Sequence, residues 1–473
     1  MSIYLVSHIF VFLLSCLLAT AQGKKTPKIA LFTTCGLNIG GIIFLILTLR
    51  YSKDGSIPTG GFNIPLLQYN ISSFPLLVIV NLLTFVYLFS LIAKSMDDKS
   101  TNLLISLINF HNFLLTCAIF AKELITLFFI LEFISLVNIG FILSSDNKNR
   151  KEVAIKYFVQ NIVAGILYMV GAIFFYKNNT TTELIPFIEP PSMLKESDTH
   201  FFRGEYFLFF LLFFKLGIFP FQSWVPDVFE VLDSKLYTII FSLQKSVLLF
   251  VTGQFFYIFS THNMPKELLL PFSLILFITI LISVIGAAFN RKLTRFLGYS
   301  SIYNAIFFIG LLLSPFLDKN YSYENFFFLI YLFILFYIFS TFVIFSLIDI
   351  FSIKQFEDIR MLSGIPLFLW LFFIANFLPF PLLLGFFAKV GIIVEVFTAG
   401  LYNIGIVLAL SSIFAIYIYS RLIPSSFQYK QNTYRINQKL FMLFLKLLTF
   451  LVIVINIFIV KVYLFVSTLF VYY

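Results

Sequence analysis

Among the ionisable residues that lie inside long apolar runs of the sequence are Glu132, Lys156, Lys215, Lys245 and Lys389. On insertion scales a charged side chain at the centre of a bilayer costs about 2.5 to 3.5 kcal/mol, so such residues usually face a protein interior and lie on an ion or proton path. At about 6 Å and an effective dielectric constant near 20, a pair of Glu132 and Lys215 would be worth roughly 3 kcal/mol. Breaking that pair would switch Lys215 between holding and releasing a proton, which predicts a proton relay.

Each of these residues also has a structural alternative. A lysine within about one turn of a helix end reaches the membrane interface at little cost, and Lys156 lies that close to the start of its run. Glu132, Lys215 and Lys245 lie roughly ten residues, or about 15 Å, from either end of their runs. Their alternative is therefore a static buried ion pair.

Prolines accompany two of the lysines. Pro220 follows Lys215, and Pro379 and Pro381 precede Lys389. Proline removes one backbone hydrogen bond and blocks the carbonyl four residues earlier. Broken backbone at membrane depth is tolerated only inside protein or beside a water cavity, so these positions predict two broken helices next to the lysines.

Composition places these residues in a membrane protein. Of 473 residues, 60% are hydrophobic and 11% are charged, with a mean hydropathy of +0.99, whereas about 25% of residues are charged in soluble domains. The net charge of +10 comes from basic residues scattered among short loops, which argues against nucleic-acid binding. The three cysteines lack ligand-like spacing, and the sequence has no phosphate-binding loop, HExxH or CxxC motif, so no metal site or redox centre is predicted.

The apolar runs predict an all-α polytopic membrane protein with about fourteen transmembrane helices, since about 20 residues cross a bilayer. The predicted spans are 2–22, 28–49, 73–94, 101–120, 123–144, 153–176, 205–223, 236–258, 267–289, 295–316, 324–350, 363–395, 398–422 and 438–470. Broken helices at corresponding positions indicate inverted repeats, here with breaks in the seventh and twelfth spans. The predicted segments are a three-helix region (1–100), two inverted five-helix repeats (101–258 and 259–422) and a C-terminal helix (423–473).

Charge distribution predicts the orientation of the chain. Lysine and arginine are more frequent in the loops after odd-numbered spans, and the positive-inside rule therefore places both termini on the outer side. The bias towards Phe, Ile, Asn and Lys is common in organelle genes and is consistent with a mitochondrial gene. In a mitochondrion, this orientation places both termini in the intermembrane space. Residues 1–22 end like a signal-peptide cleavage site, but no basic residue precedes the apolar stretch, so we expect a retained first span. The longest loop, 177–204, is expected to contact a neighbouring subunit.

Five motifs resemble the antiporter-like membrane subunits of respiratory complex I. They are "ELITLFFILEFISL" from Glu123, "EVAIKYF" from Glu152, "FKLGIFPFQSWVPDVFE" from Phe214, "LTRFLGYSSIYNAIFFIG" from Leu293 and "FLPFPLLLGFFAKV" from Phe377. They occur in the order found in that family, across about residues 120 to 425. Within the family, the "AIKYF" element and Lys389 are most similar to the subunit 2 group.

The resemblance implies specific roles for the five ionisable residues. Glu132 and Lys215 would form the pair between the fifth and seventh spans, Lys245 would be the central lysine, Lys389 would belong to the exit half-channel, and Lys156 matches the sixth-span lysine. The family pumps protons with energy from NADH oxidation and ubiquinone reduction in other subunits, so this chain would bind no cofactor, and NADH, FMN, iron–sulfur clusters and ubiquinone would be bound elsewhere in the complex. Its partners would be subunits of the 4 and 4L types, accessory subunits and membrane lipids.

The sequence also departs from the family pattern. Gln222 stands where related sequences often have histidine, so no imidazole is available there for proton transfer. Two other functions remain open from the sequence. One is a free-standing cation/proton antiporter, and the other is a structural membrane subunit whose charged residues are inert.

Overall fold

The computed structural model describes eight stretches of the chain: 73–93, 99–121, 123–179, 205–260, 269–316, 323–378, 380–423 and 436–457. The first two predicted spans, Cys16, Cys35, Pro379 and almost all of the 177–204 loop lie outside the described residues. The described residues form helices and their connections, with no β-strand among them.

The chain divides into two compact units, and the main boundary between them along the sequence lies between Ser144 and Ser145. The first unit contains α1 (Phe74–Ala93), α2 (Lys99–Phe120) and α3 (Leu124–Ser144). Its helices are apolar on most faces, and a hydrogen bond of 3.0 Å from the Asn112 amide to the Asn81 side-chain oxygen links α2 to α1. Hydrogen bonds of this kind between polar side chains help to associate helices in membranes.

The second unit contains most of the remaining helices. They are α4 (Arg150–Asn179), α5 (Leu208–Leu216), α6 (Trp224–Val231), α7 (Ser234–Tyr237), a π-helical segment (Thr238–Gln244), α8 (Lys245–Ser260), α9 (Leu269–Phe289), α10 (Leu293–Leu312), α11 (Tyr323–Phe351), α12 (Ile365–Phe377), α13 (Leu384–Thr398) and α14 (Tyr402–Ser420). The last described helix, α15 (Ile436–Ile457), is divided between the two units after Met442.

Within the described residues, seven helices are long and apolar enough to cross a membrane. The helix from α7 to α8, α10 and α11 are almost entirely buried in the protein, whereas α4, α9 and α14 expose one apolar side. Because that exposed side carries large side chains such as Ile166, Ile285 and Ile413, these three helices lie at the outer surface of the second unit. The protein is therefore a multi-pass membrane protein whose buried helices can carry polar groups.

The helix containing Lys215 ends one residue later, at Leu216. Gly217 closes the helix with a φ of 76°, a left-handed conformation that glycine adopts without steric cost. A Cβ atom at this position would also lie only 2.5 Å from the Val225 side chain. The Phe219–Pro220 peptide bond is cis, and helical structure resumes at Trp224 as α6.

A second break separates α12 from α13. The side-chain oxygen of Asn376, near the end of α12, accepts a 2.7 Å hydrogen bond from the Gly385 amide in the first turn of α13. The Asn376 amide group donates to Ser340 of α11 at 2.9 Å. One asparagine thus caps the second half of the broken helix, because the first amides of a helix have no partner within it, and anchors it to α11.

Candidate functional site

Lys215 is buried beside the first helix break. Its side chain is 3% exposed, and its ammonium group donates a 2.9 Å hydrogen bond to the side-chain oxygen of Asn161 on α4. The ammonium also lies 5.2 Å from the centre of the Phe214 ring, within the range of a cation–π interaction. The indole of Trp224 donates to the Phe214 carbonyl at 2.9 Å, so the start of α6 is fastened to the helix end that carries the lysine.

Lys245 lies inside the unit, at the first residue of α8. Its ammonium donates to the carbonyl and the hydroxyl of Ser301 on α10, at 2.7 and 2.6 Å. The Ser301 hydroxyl lies 3.2 Å from that of Tyr337 on α11, and Tyr337 donates to the Phe241 carbonyl in the π-helical segment at 3.0 Å. Such segments insert an extra residue into a helix and are frequent at functional sites. The π-helical segment changes the helical register immediately before Lys245. Its Phe241 carbonyl also accepts the hydrogen bond from Tyr337.

Lys389 is fully buried in the second turn of α13. Its ammonium donates a 2.6 Å hydrogen bond to the carbonyl of Phe377, the last residue of α12. In a continuous helix residue 381 would donate to this carbonyl, but Pro381 has no N–H. The break thus leaves the Phe377 carbonyl without a backbone donor, and the Lys389 ammonium donates to it instead. Four aromatic rings lie within 5.2 to 5.9 Å of the ammonium: Tyr303, Phe307, Phe336 and Tyr419.

The other two predicted residues occupy different surroundings. Glu132 is half-buried on α3 and belongs to the first unit, whereas all four lysines belong to the second. Its pairing with Lys215 stays a prediction. Lys156 has a side chain that is 44% exposed and forms an ion pair with Asp227. It therefore belongs to a partly exposed ion-pair network and not to the buried lysines.

That network, here called the α6 network, consists of Lys156, Asp227, Glu230, Lys292 and Arg295. Arg295 on α10 joins both acids of α6, since one guanidinium nitrogen lies 3.0 Å from Asp227 and another pairs with Glu230. Lys292 adds a contact of 2.5 Å to Glu230. The network ties α6, the helix after the first break, to α4 on one side and α10 on the other.

The Glu230 carboxyl should make stability depend on pH. Burial raises its pKa, but the hydrogen bonds and charges of Lys292 and Arg295 outweigh burial and hold the pKa below its ordinary value of 4.5. α6 lies outside the seven candidate spans. A lowered folded-state pKa means that the stabilisation is complete above the unfolded-state value and is lost as the pH falls through the folded-state value. We expect less than about 1 kcal/mol, because these groups are partly exposed.

The measurement is the thermal midpoint of the purified protein between pH 8 and pH 3.5. Glu230→Gln should lower the midpoint slightly at pH 8 and reduce its fall below about pH 4.5. Glu357→Gln is the matched control, since Glu357 is an exposed acid of the α11–α12 connection and is not part of the α6 network. Identical pH curves for the wild type and Glu230→Gln would contradict the assignment.

Residues 121–415 match a protein family described as NADH:quinone oxidoreductase/Mrp antiporter, transmembrane. The chain belongs to this family. The matched segment includes the three buried lysines, Glu132 and the α6 network.

Individual relatives are distant in sequence. The chain is 23% identical over 314 residues to NADH-quinone oxidoreductase subunit N of Azoarcus sp. (strain BH72), which covers 64% of each protein. It is 26% identical over 198 residues to NADH-ubiquinone oxidoreductase chain 2 of Dictyostelium discoideum. That match covers 40% of each of the two proteins. The chain thus spans less than two thirds of the length of these relatives in the matches.

The fold is shared over nearly the whole chain. A chain of respiratory complex I from Thermus thermophilus superimposes with a TM-score of 0.76 at 16% sequence identity, covering 96% of this chain and 98% of that one. The antiporter-like membrane fold predicted from the motifs is confirmed.

Sequence reasoning missed the neutral partners of the lysines in this family member. Asn161, Ser301 and Asn376 bind or position the charged groups and the helix breaks. The available signal was the presence of buried amides and hydroxyls within apolar spans, although polar residues of this kind are too common in the chain to have been singled out. Among the described residues, no group of His, Cys, Asp and Glu is arranged to hold a metal ion.

Proposed function

We propose that this chain is a proton-translocating membrane-arm subunit of respiratory complex I. The observation that carries the proposal is the set of three lysines, Lys215, Lys245 and Lys389, each less than 5% exposed and each bound to neutral oxygen acceptors. Ionisable side chains buried at membrane depth usually face a protein interior and mark an ion or proton path. Neutral acceptors are compatible with both protonation states.

The helix breaks fit this role. Each break leaves backbone groups without partners inside the helix, and polar side chains or water take their place. Beside Lys389 the freed carbonyl of Phe377 is the lysine's own acceptor. A change at the break would therefore alter how well the lysine holds its proton, which is how movement in the complex would couple to transport.

The proposal includes the features predicted from the sequence. The chain would have about fourteen transmembrane helices in two inverted five-helix repeats, and Glu132 would pair with Lys215 when the proton is held. It would lie in the mitochondrial inner membrane with both termini in the intermembrane space. Neighbouring subunits of the 4 and 4L types, accessory subunits and lipids would surround it, while NADH, FMN, iron–sulfur clusters and ubiquinone would be bound by the rest of the complex.

A free-standing cation/proton antiporter is the second candidate, because the matched family includes Mrp antiporters. The two functions differ in assembly. A complex I subunit should co-purify, after mild detergent extraction, with a large particle that oxidises NADH and reduces ubiquinone.

The experiment is native-gel separation of solubilised membranes with an in-gel NADH oxidation stain and detection of this chain by mass spectrometry. We expect the chain in the stained band. Its recovery only as a smaller particle that exchanges sodium or potassium for protons in liposomes would favour the antiporter, and the complex I proposal would then be wrong.

A further inference from the structure

The amide side chain of Asn376 joins three helices beside the second helix break. It is fully buried. Its oxygen accepts a 2.7 Å hydrogen bond from the backbone N–H of Gly385 in α13, and its nitrogen donates to the hydroxyl of Ser340 on α11 at 2.9 Å. Because an unpaired polar group is costly in a protein interior, both ends of this side chain resist displacement. The end of α12 is therefore held against α13 and α11 at the same time.

The residue that follows Asn376 supplies the acceptor for Lys389. The Phe377 carbonyl accepts the 2.6 Å hydrogen bond from the Lys389 ammonium. α12 ends at Phe377, since Leu378 has an extended conformation with a ψ of 143°. Gly385 and Lys389 are four residues apart on α13 and lie on the same side of it. Two adjacent residues of α12 thus contact two positions one turn apart on α13, so the first contact determines the geometry of the second.

The two halves of the broken helix approach each other too closely for a side chain at position 385. A Cβ atom on Gly385 would overlap the backbone oxygen of Asn376 and lie 3.0 Å from the Phe336 ring. Phe336 precedes Ser340 by one turn of α11, and its ring centre is 5.6 Å from the Lys389 ammonium. The same side of α11 therefore carries the anchor of Asn376 and part of the aromatic surroundings of the lysine.

We infer that Asn376 is a positioning residue for Lys389 and holds the Phe377 carbonyl within hydrogen-bond reach of the ammonium. This inference rests on the proposed function. Asn376 neither accepts nor releases the transported proton, because its amide acts only on the distance between the end of α12 and the lysine. Without that amide, the two helix ends separate and the ammonium loses a charge-assisted hydrogen bond. The lysine then occupies its working position for less of the time, and coupled turnover slows.

Three substitutions disturb this geometry in different ways. Asn376→Leu removes both hydrogen bonds, Ser340→Ala removes only the anchor on α11, and Gly385→Ala pushes the two halves of the helix apart. One matched control is Ser346→Ala, because Ser346 is also a buried serine of α11 and its hydroxyl has no partner in the described part of the chain. The other is Gly140→Ala, because a Cβ atom there would make only ordinary contacts, at 3.6 Å or more.

The experiment measures coupled NADH:ubiquinone turnover, the KM for ubiquinone and the amount of assembled complex in membranes that carry the intact complex. Per assembled complex, Asn376→Leu should lower the kcat about fivefold, which is about 1 kcal/mol at the barrier, with an unchanged KM. Ser340→Ala should lower the kcat only about twofold, since it leaves the contact with α13 in place. Gly385→Ala should lower the kcat at least as much as Asn376→Leu, and both controls should match the wild type.

A high-resolution map of the Asn376→Leu complex tests the geometry itself. The distance from the Lys389 ammonium to the Phe377 carbonyl should exceed the roughly 3.2 Å of a hydrogen bond. An unchanged distance would overturn the inference. So would a loss of turnover that follows only the loss of assembled complex, because Asn376 would then stabilise the fold without acting on the lysine.

Lys389→Met, measured in parallel, separates the inference from the proposed function. If Lys389→Met loses coupled turnover while Asn376→Leu and Ser340→Ala retain it, the positioning role is wrong and the proposed function stands. If Lys389→Met behaves as the wild type, transport through Lys389 is wrong, and the proposed function and the positioning role fall with it. Should Asn376→Leu fail to assemble, Ser340→Ala decides, and a wild-type kcat in that variant would overturn the inference.

Discussion

Replacing Lys215 with methionine is expected to lower coupled NADH:ubiquinone turnover about tenfold or more, a loss of at least about 1.4 kcal/mol in stabilisation of the rate-limiting step. Methionine preserves most of the length and apolar volume of the lysine side chain but cannot carry a proton. The ammonium is buried and donates to a neutral amide oxygen on α4, so its loss removes a proton carrier from the interior of the second unit. Because methionine fills a similar volume, the amount of assembled complex should stay close to that of the wild type.

The measurement combines NADH:ubiquinone turnover in membranes, proton uptake into vesicles and the amount of complex on native gels. Lys446→Met is the matched control, because Lys446 is an exposed lysine on α15. Asn161→Leu should give a smaller loss than Lys215→Met, since it removes one acceptor and leaves the carrier. Full turnover with an unchanged proton yield in Lys215→Met would mean that the buried charged residues take no part in transport, which is the structural-subunit alternative.

Replacing Arg421 with alanine is expected to lower the free energy of unfolding by about 2 to 4 kcal/mol, because charge-assisted hydrogen bonds are among the strongest in proteins. The guanidinium at the end of α14 donates to the carbonyls of Ala287, Ala288 and Asn290 at the end of α9, at 2.6, 2.8 and 2.7 Å. Helix ends leave carbonyls without partners, and a cation there also complements the helix dipole. The arginine therefore caps one outer helix from another.

Packing adds to this effect. The guanidinium carbon lies 4.7 Å from the centre of the Phe356 ring and 5.8 Å from that of Phe296. Arg421→Lys should recover only part of the loss, since lysine lacks the planar fork that reaches several carbonyls at once. Thermal unfolding of the purified complex, followed by release of this chain, measures the change, and the exposed Arg291 provides the control Arg291→Ala. Equal midpoints for Arg421→Ala and the control would show that the cap contributes little.

Several helix positions could be predicted from hydropathy alone. The predicted spans 123–144, 267–289 and 324–350 correspond to α3 (Leu124–Ser144), α9 (Leu269–Phe289) and α11 (Tyr323–Phe351), within two residues at each end. Length and apolarity determine a helix in a membrane because every backbone group must be satisfied within the segment. The count of fourteen helices and the inverted repeats stay predictions, since the first two spans lie outside the described residues.

The positions of the buried lysines and of the helix breaks beside them could be predicted only in part. The sequence shows that Lys215, Lys245 and Lys389 are costly in a membrane, and Pro220 and Pro381 indicate where helices stop. The structure places Lys215 one residue from the end of α5 and not in the middle of a helix, because Gly217 closes that helix before the proline is reached. The π-helical segment before Lys245 has no comparable signal in the sequence.

Apolar periods, buried charges and prolines are properties of neighbouring residues, so the sequence reveals the membrane class, many helix bounds and the lysines that lie within apolar runs. Hydrogen-bond partners depend on which helix faces which, and at what height. Lys215 meets Asn161 across 54 positions of sequence, and Lys245 meets Ser301 across 56. The same holds for Asn304 and Tyr419, which are 115 positions apart. Those contacts arise from the packing of long helices against one another. They determine which polar groups are hydrogen-bonded and leave the side-chain oxygen of Asn304, which lines a cavity, without a partner in the described part of the chain.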